Sequence, residues 1–150
     1  MIVNGVVISE KSLTNFDLID YVWKLHLPNF KGVFMRDNLP SQRRKENECG
    51  IMNFNTSSQK GSHWVAWYVS GDKRVYFDSF GQHVPYELVR YLKPPKEYRG
   101  KTLCIERNAL IVQHINTSEC GALCLFVLER LSSNILYEDI IHTLRQRYLR

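Results

Sequence analysis

The sequence is short of every feature that usually settles a protein's class on sight. No stretch of its 150 residues approaches the roughly 20 apolar residues a bilayer-spanning helix needs, so an embedded helical protein is excluded and no membrane partner is expected. The start, Met1-Ile2-Val3-Asn4-Gly5-Val6-Val7, lacks the basic region and long apolar core of a secretory signal. Nothing in it points to export, and an intracellular or virion setting is expected. The four cysteines, at positions 49, 104, 120 and 124, form no C-x-x-C pair, which sets aside a zinc ribbon and a disulfide framework in favour of reduced thiols. No metal site is expected. The 5 prolines and 8 glycines are scattered, with no repeat or low-complexity tract, so no linker marks a boundary and residues 1–150 read as one domain.

What is present is ordinary in bulk. A hydrophobic fraction of 44% is enough for a single globular core in a chain of this size. Basic residues outnumber acidic ones by 20 to 15, and the net charge of +5 favours polyanions or acidic surfaces without requiring them. Residues 1–8 alternate loosely as a short edge strand. Thr14 and Asp17 form a capping-box pattern that opens a helix near 15–26, with Phe16, Ile19, Trp23 and Leu27 on its apolar face and Leu18, Val22 and Leu25 widening it. Residues 49–54 read as an apolar strand. Residues 63–69 and 74–77 form a hairpin about Ser70-Gly71-Asp72, and Pro85 starts a helix over 85–92. Residues 103–105 and 110–113 look like two further strands, and helices follow over 120–131 and 137–148. Helix, then strands, then helices is an α+β order, predicting a mixed or antiparallel central sheet flanked by helices.

One set of residues carries chemistry. A cysteine is a nucleophile as its thiolate, and a helix N-terminus beside an imidazolium lowers its pKa. Cys120 opens the helix Cys120-Gly121-Ala122-Leu123-Cys124, and Gly121 lets the backbone approach a bound carbonyl. The plainer alternative is a small buried residue capping a core helix. Cys124, one turn deeper, and Cys49, in an apolar strand, take that plain reading. His63, at the start of a strand, is the leading base; His83 and His114 lie in loops close enough to contact substrate, while His26 and His142 belong to polar helix faces. Asp78 ends the partner strand and can orient the imidazole, or simply close an Asx turn onto Ser79 and Phe80. Gln113, seven residues before Cys120, carries the amide an oxyanion hole needs, although a glutamine at a strand end is usually just solvated.

Assembled in the order His, acid, Gln, Cys, these residues resemble the adenovirus protease (adenain) family and its relatives in Maverick/Polinton-type elements, themselves related to proteases of ubiquitin-like proteins. The matching pieces are Gly61-Ser62-His63-Trp64, Tyr76-Phe77-Asp78-Ser79-Phe80-Gly81, and Val112-Gln113 followed by Glu119-Cys120-Gly121-Ala122-Leu123-Cys124; the segment from Gly32 to Pro40 is similar too. The resemblance implies a papain-logic cysteine protease with His63 as base, Asp78 orienting it, Cys120 attacking and Gln113 in the oxyanion hole. It places Trp64 over the histidine, where it would narrow the groove and favour glycine or another small residue at the scissile bond. It also implies viral capsid or core precursors as substrates, a virion and host-cell setting, a monomer, and chemistry without a required cofactor. Activation by DNA is part of the resemblance, with candidate contacts at Arg43, Arg44 and Lys45 and at Arg145, Arg147 and Arg150; so is activation by a peptide, with Cys104 as its thiol partner. For the basic clusters the alternative is a solvated face, and for Cys104 a buried strand cysteine. The acid is Asp78 where adenoviral enzymes commonly have Glu, and with 30 residues after Cys120 the C-terminal helical portion is shorter. Two rival functions stand beside this one: a deubiquitinating or deSUMOylating isopeptidase, and an inactive DNA- or protein-binding module on the same fold.

Overall fold

The structure, a computed structural model, describes residues 1–41, 45–58, 62–94, 100 and 102–150; Arg43, Arg44 and Gly61 lie outside the described residues. The chain opens with a small hairpin of β1 (Ile2–Val3) and β2 (Val6–Val7), turned by Asn4 and Gly5 at φ +48° and +81°. Two successive positive φ angles match the twist of a tight hairpin, so the single edge strand expected over 1–8 is instead a two-strand turn. Helix α1 (Asn15–Lys24) begins at the capping box, with Asp17 N–H donating to Thr14 Oγ1 at 3.1 Å and Thr14 N–H donating back to Asp17 Oδ2 at 2.8 Å. Such a cap stabilises a helix by about 1 kcal/mol.

The buried face of α1 corrects the expected one. Leu18, Val22 and Leu25 are buried, whereas Phe16 and Trp23 are 77% and 76% exposed and Ile19 is also exposed. Both stripes have helical spacing, so periodicity could not choose between them. The packing of Gly121 against Leu13 and Leu18 did choose, by drawing helix α3 (Cys120–Ser132) onto that side.

The main sheet has the order β3-β4-β5-β6-β7, from β3 (Phe30–Met35), β4 (Asn47–Asn53), β5 (Trp64–Ser70), β6 (Lys73–Phe77) and β7 (Ile105–Arg107). The outer pairs are parallel and the inner pairs antiparallel, so the α+β fold has a mixed sheet. Both faces are covered. Cys49, Ile51, Ala66, Val75 and Phe77 pack with α1, α3 and α4 (Tyr137–Tyr148), while Met52, Val65, Trp67, Val69 and Tyr76 pack with α2 (Tyr86–Leu92). A strand buried on both faces has no polar alternation, which is why the segment from Trp64 to Val69 reads as a continuous apolar run. Gly50 sits opposite Trp67, whose ring would lie 2.3 Å from a Cβ there, so the indole occupies the space a side chain would fill.

Two expected strands are corrected. The first is displaced to Ile105–Arg107, leaving Cys104 before it and exposed, which removes the buried-strand reading of that thiol. The second does not form: residues 110–113 are irregular, although Val112 N–H donates to Ser79 O at 2.8 Å. The reason is local. Beyond Arg107 the backbone groups of Asp78 are taken by the Asn108 side chain, which accepts from Asp78 N–H at 3.2 Å and donates to Asp78 O at 2.6 Å. A side chain thus stands where the next rung of the ladder would be, and the main chain diverges.

Candidate active site

The β5–β6 hairpin brings His63 and Asp78 together. Continuing its register past the last pair, Ala66 with Phe77, sets Asp78 across from Val65, two residues from His63. His63 Nε2 lies 2.7 Å from Asp78 Oδ1. The same oxygen accepts from Phe80 N–H at 2.9 Å, so the orienting contact and the Asx turn exist together. Asp78 is fully buried, and its backbone is clamped by Asn108, whose Oδ1 also accepts from Tyr137 OH at 3.0 Å. The ring stacked on His63 is Phe80, with centroids 4.8 Å apart and planes 27° apart. This corrects the expectation for Trp64: its indole N–H donates instead to Leu13 O at 2.9 Å, turning the ring towards the start of α1. Trp64 still lines the cleft.

Cys120 is the first residue of α3. Trp64 N–H donates to its Sγ at 3.5 Å, and the thiol also hydrogen-bonds His63. With Nε2 taken by Asp78, Nδ1 is the imidazole nitrogen left for sulfur. Burial alone would push the imidazole pKa down, but hydrogen bonds to Asp78 and Cys120 and the charges of both lift it to about 9. Asp78 and Cys120 thus favour the protonated form of the imidazole. The other core thiols have the opposite environment. Burial, with the Glu48 charge, pushes Cys49 up to about 12, and burial pushes Cys124 well above the ordinary thiol range.

A cleft of about 430 Å³ opens over Cys120, lined by His63, Trp64, Leu13, Phe80, Gln113, Ile115 and Thr117 among others. Gln113 is buried, with Oε1 accepting from Ser79 Oγ at 2.6 Å and Nε2 donating to Thr117 O at 3.0 Å. It does not lie on a strand end, as expected, but it does enter the cleft. Gly121 corrects its expected role: it is buried and its open side meets Leu13 and Leu18, so it permits helix packing and does not line the cleft.

The remaining candidates stand apart. His114 stacks on Tyr148 and contacts Tyr148 O at 3.1 Å, pointing towards α4. Arg147 is held by Glu119 at 2.7 Å and by Glu10, and Arg145 donates to Ile111 O at 2.6 Å, so these two side chains clasp the chain's own groups and are not open phosphate contacts. Lys45 is exposed, as is Arg150. Among the described residues, no three His, Cys, Asp or Glu side chains cluster in a way that could hold a metal ion, and no helix is long and apolar enough to cross a membrane.

No family model matches the chain, and no curated protein matches its sequence. Solved structures do. The selenomethionine crystal structure of the ASFV pS273R protease matches with a TM-score of 0.63 and 21% identity, over 93% of this chain and 68% of that one. The fold is that of cysteine proteases. The SUMO protease Ulp1 with its catalytic cysteine oxidised to a sulfinic acid matches with a TM-score of 0.53 and 15% identity, over 97% of this chain and 83% of that one. The Ulp1 protease domain in complex with Smt3, the yeast orthologue of SUMO, matches equally well in score and identity, over 94% and 76%. The cysteine-protease fold was legible in the sequence; of the four residues singled out there, the structure brings His63, Gln113 and Cys120 to one cleft with Asp78 behind His63. Phe80, Asn108, Tyr137 and Thr117 were not assigned roles at the site: Phe80 belongs to a quoted motif, but nothing in the sequence marks Asn108 as the clamp on Asp78.

Proposed function

We propose that the chain is a cysteine endopeptidase in which Cys120 attacks the scissile carbonyl, His63 takes and returns the proton, Asp78 orients the imidazole, and Gln113 donates to the oxyanion. The observation that carries this reading is the continuous contact from Cys120 through His63 to Asp78, with the thiol at a helix N-terminus facing an open cleft. An inactive module on this fold has no need of such a line. The proposed sequence is attack of the Cys120 thiolate, collapse of the tetrahedral intermediate to a thioester with His63 protonating the leaving amine, and hydrolysis by water activated at His63.

Substrates in this reading are viral capsid or core precursors; the tie between Trp64 and Leu13 along one wall of the cleft favours glycine or another small residue at the scissile bond. A second reading, removal of a ubiquitin-like modifier, is favoured by the likeness to Ulp1 bound to Smt3. Cleavage profiling on a peptide library, with and without added DNA, tests the first together with any activation by DNA. Labelling by ubiquitin- and SUMO-type probes carrying C-terminal electrophiles tests the second. Cleavage after small residues lost in Cys120→Ala supports the proposal; reaction with modifier probes alone transfers the assignment to the second reading. Absence of both, with Cys120 no more reactive than the other thiols, leaves an inactive module.

A further inference from the structure

A carboxamide can serve an oxyanion only with its nitrogen end. The two ends of Gln113 are nearly the same size, so a turn of 180° about the last side-chain bond would put an oxygen where a donor is needed and repel the developing charge. Something must hold the amide one way round. Two neighbours touch it. Thr117 O, which can only accept, lies 3.0 Å from Nε2, and Ser79 Oγ lies 2.6 Å from Oε1. Flipping the amide would set two carbonyl oxygens against each other at Thr117. Both neighbours are themselves fixed: Thr117 N–H and Oγ1 both donate to His114 O, at 3.1 and 2.8 Å, and Ser79 O accepts from Val112 N–H at 2.8 Å. Ser79 is fully buried, where a hydroxyl without a partner would be costly.

We infer that Ser79 is a positioning residue for Gln113: the Thr117 carbonyl selects which way round the carboxamide lies, and the Ser79 hydroxyl anchors its oxygen end so that the second N–H of Nε2 is presented to the scissile carbonyl above Cys120. The inference rests on the proposed protease reading. It gives the two residues after β6 a divided task, Asp78 orienting the base and Ser79 orienting the oxyanion donor, from adjacent positions on one stretch of backbone.

The test compares Ser79→Ala, Gln113→Ala and the double variant for kcat and KM on a cleaved peptide, and for the rate at which iodoacetamide alkylates Cys120. Ser79→Ala is expected to lower kcat by on the order of 10-fold, less than loss of the donor itself, with KM and alkylation changed less than about 2-fold. In the Gln113→Ala background, removing the Ser79 hydroxyl should cost almost nothing further. Ser79→Thr, which keeps the hydroxyl, should restore most of the turnover. An equal loss in both backgrounds, or a parallel loss of alkylation, overturns the inference, because Ser79 would then act on the fold or on the Cys120–His63 pair. If wild-type turnover is absent, or survives Gln113→Ala unchanged, the failure lies with the protease reading or with the donor assignment and is recognised before Ser79 is touched.

Discussion

On one side of the cleft, His63 and Asp78 stand at the ends of adjacent antiparallel strands, β5 and β6. On the other, Gln113 and Thr117 hang on irregular chain between β7 and α3. The strand side inherits its geometry from a register: once Ala66 faces Phe77, the base and the acid are neighbours. The loop side has no ladder to borrow from. It is held by side-chain hydrogen bonds of buried groups, Ser79 to the Gln113 carboxamide and Asn108 to Leu110 O and the Asp78 backbone. In the proposed mechanism the strand side acts on Cys120 through His63, which touches the thiol, and Asp78, which touches His63, while the loop side acts on the developing oxyanion. A variant should therefore reveal its side by whether alkylation of Cys120 falls with turnover.

The largest break is expected on the strand side. His63→Ala should lower turnover by on the order of 10⁴-fold and also abolish the faster alkylation of Cys120 relative to Cys49, Cys104 and Cys124 at neutral pH. Equal labelling of all four cysteines in the wild-type chain would remove the basis for the whole assignment. Next comes the loop side. Gln113→Ala should cost turnover on the order of 10²-fold while alkylation stays close to wild type, since an oxyanion donor acts in the transition state. If both fell together, Gln113 would be holding the fold.

Asn108→Ala sharpens the comparison, because Asn108 follows β7 on the loop side yet serves the strand side. It should lower alkylation and turnover together by roughly 10-fold and destabilise the chain by about 1–3 kcal/mol, with Asp78 N–H losing its partner and Asp78 C=O left with the Gly81 N–H alone. Turnover loss without alkylation loss would place Asn108 with Gln113 instead. The smallest effect is in the pH dependence of stability. His63 is raised from 6.5 to about 9 in the folded chain, so its contribution is full below about 6.5 and is lost as pH rises towards 9. The melting-temperature difference between wild type and His63→Ala should narrow across that window, and a constant difference would show that the imidazole is not held protonated.

The legible parts of the chain share a cause. The capping box at Thr14, the hairpin at Gly71 and the helix opening at Cys120 are each specified by residues a few positions apart. The quartet His63, Asp78, Gln113 and Cys120 could be proposed from the sequence because its members lie in recognisable strings, 15, 35 and 7 residues apart. What stayed hidden depends on contacts between distant segments. Which stripe of α1 is buried, which ring covers His63, and why 110–113 is not a strand each turn on a contact between separate segments: Gly121 with Leu18 for α1, Phe80 with His63 for the imidazole, Asn108 with Asp78 for the lost strand.

By itself, then, the sequence determined an α+β chain with a thiol at a helix start and an imidazole and a carboxylate on paired strands, because capping, turn chemistry and strand pattern are local. It could not say whether the thiol was reactive, since Cys120 and Cys124 are one turn apart on the same helix. Only the tertiary structure separates them: Cys120 meets His63 at the edge of an open cleft, while Cys124 is sealed in the core, where burial keeps the proton on sulfur.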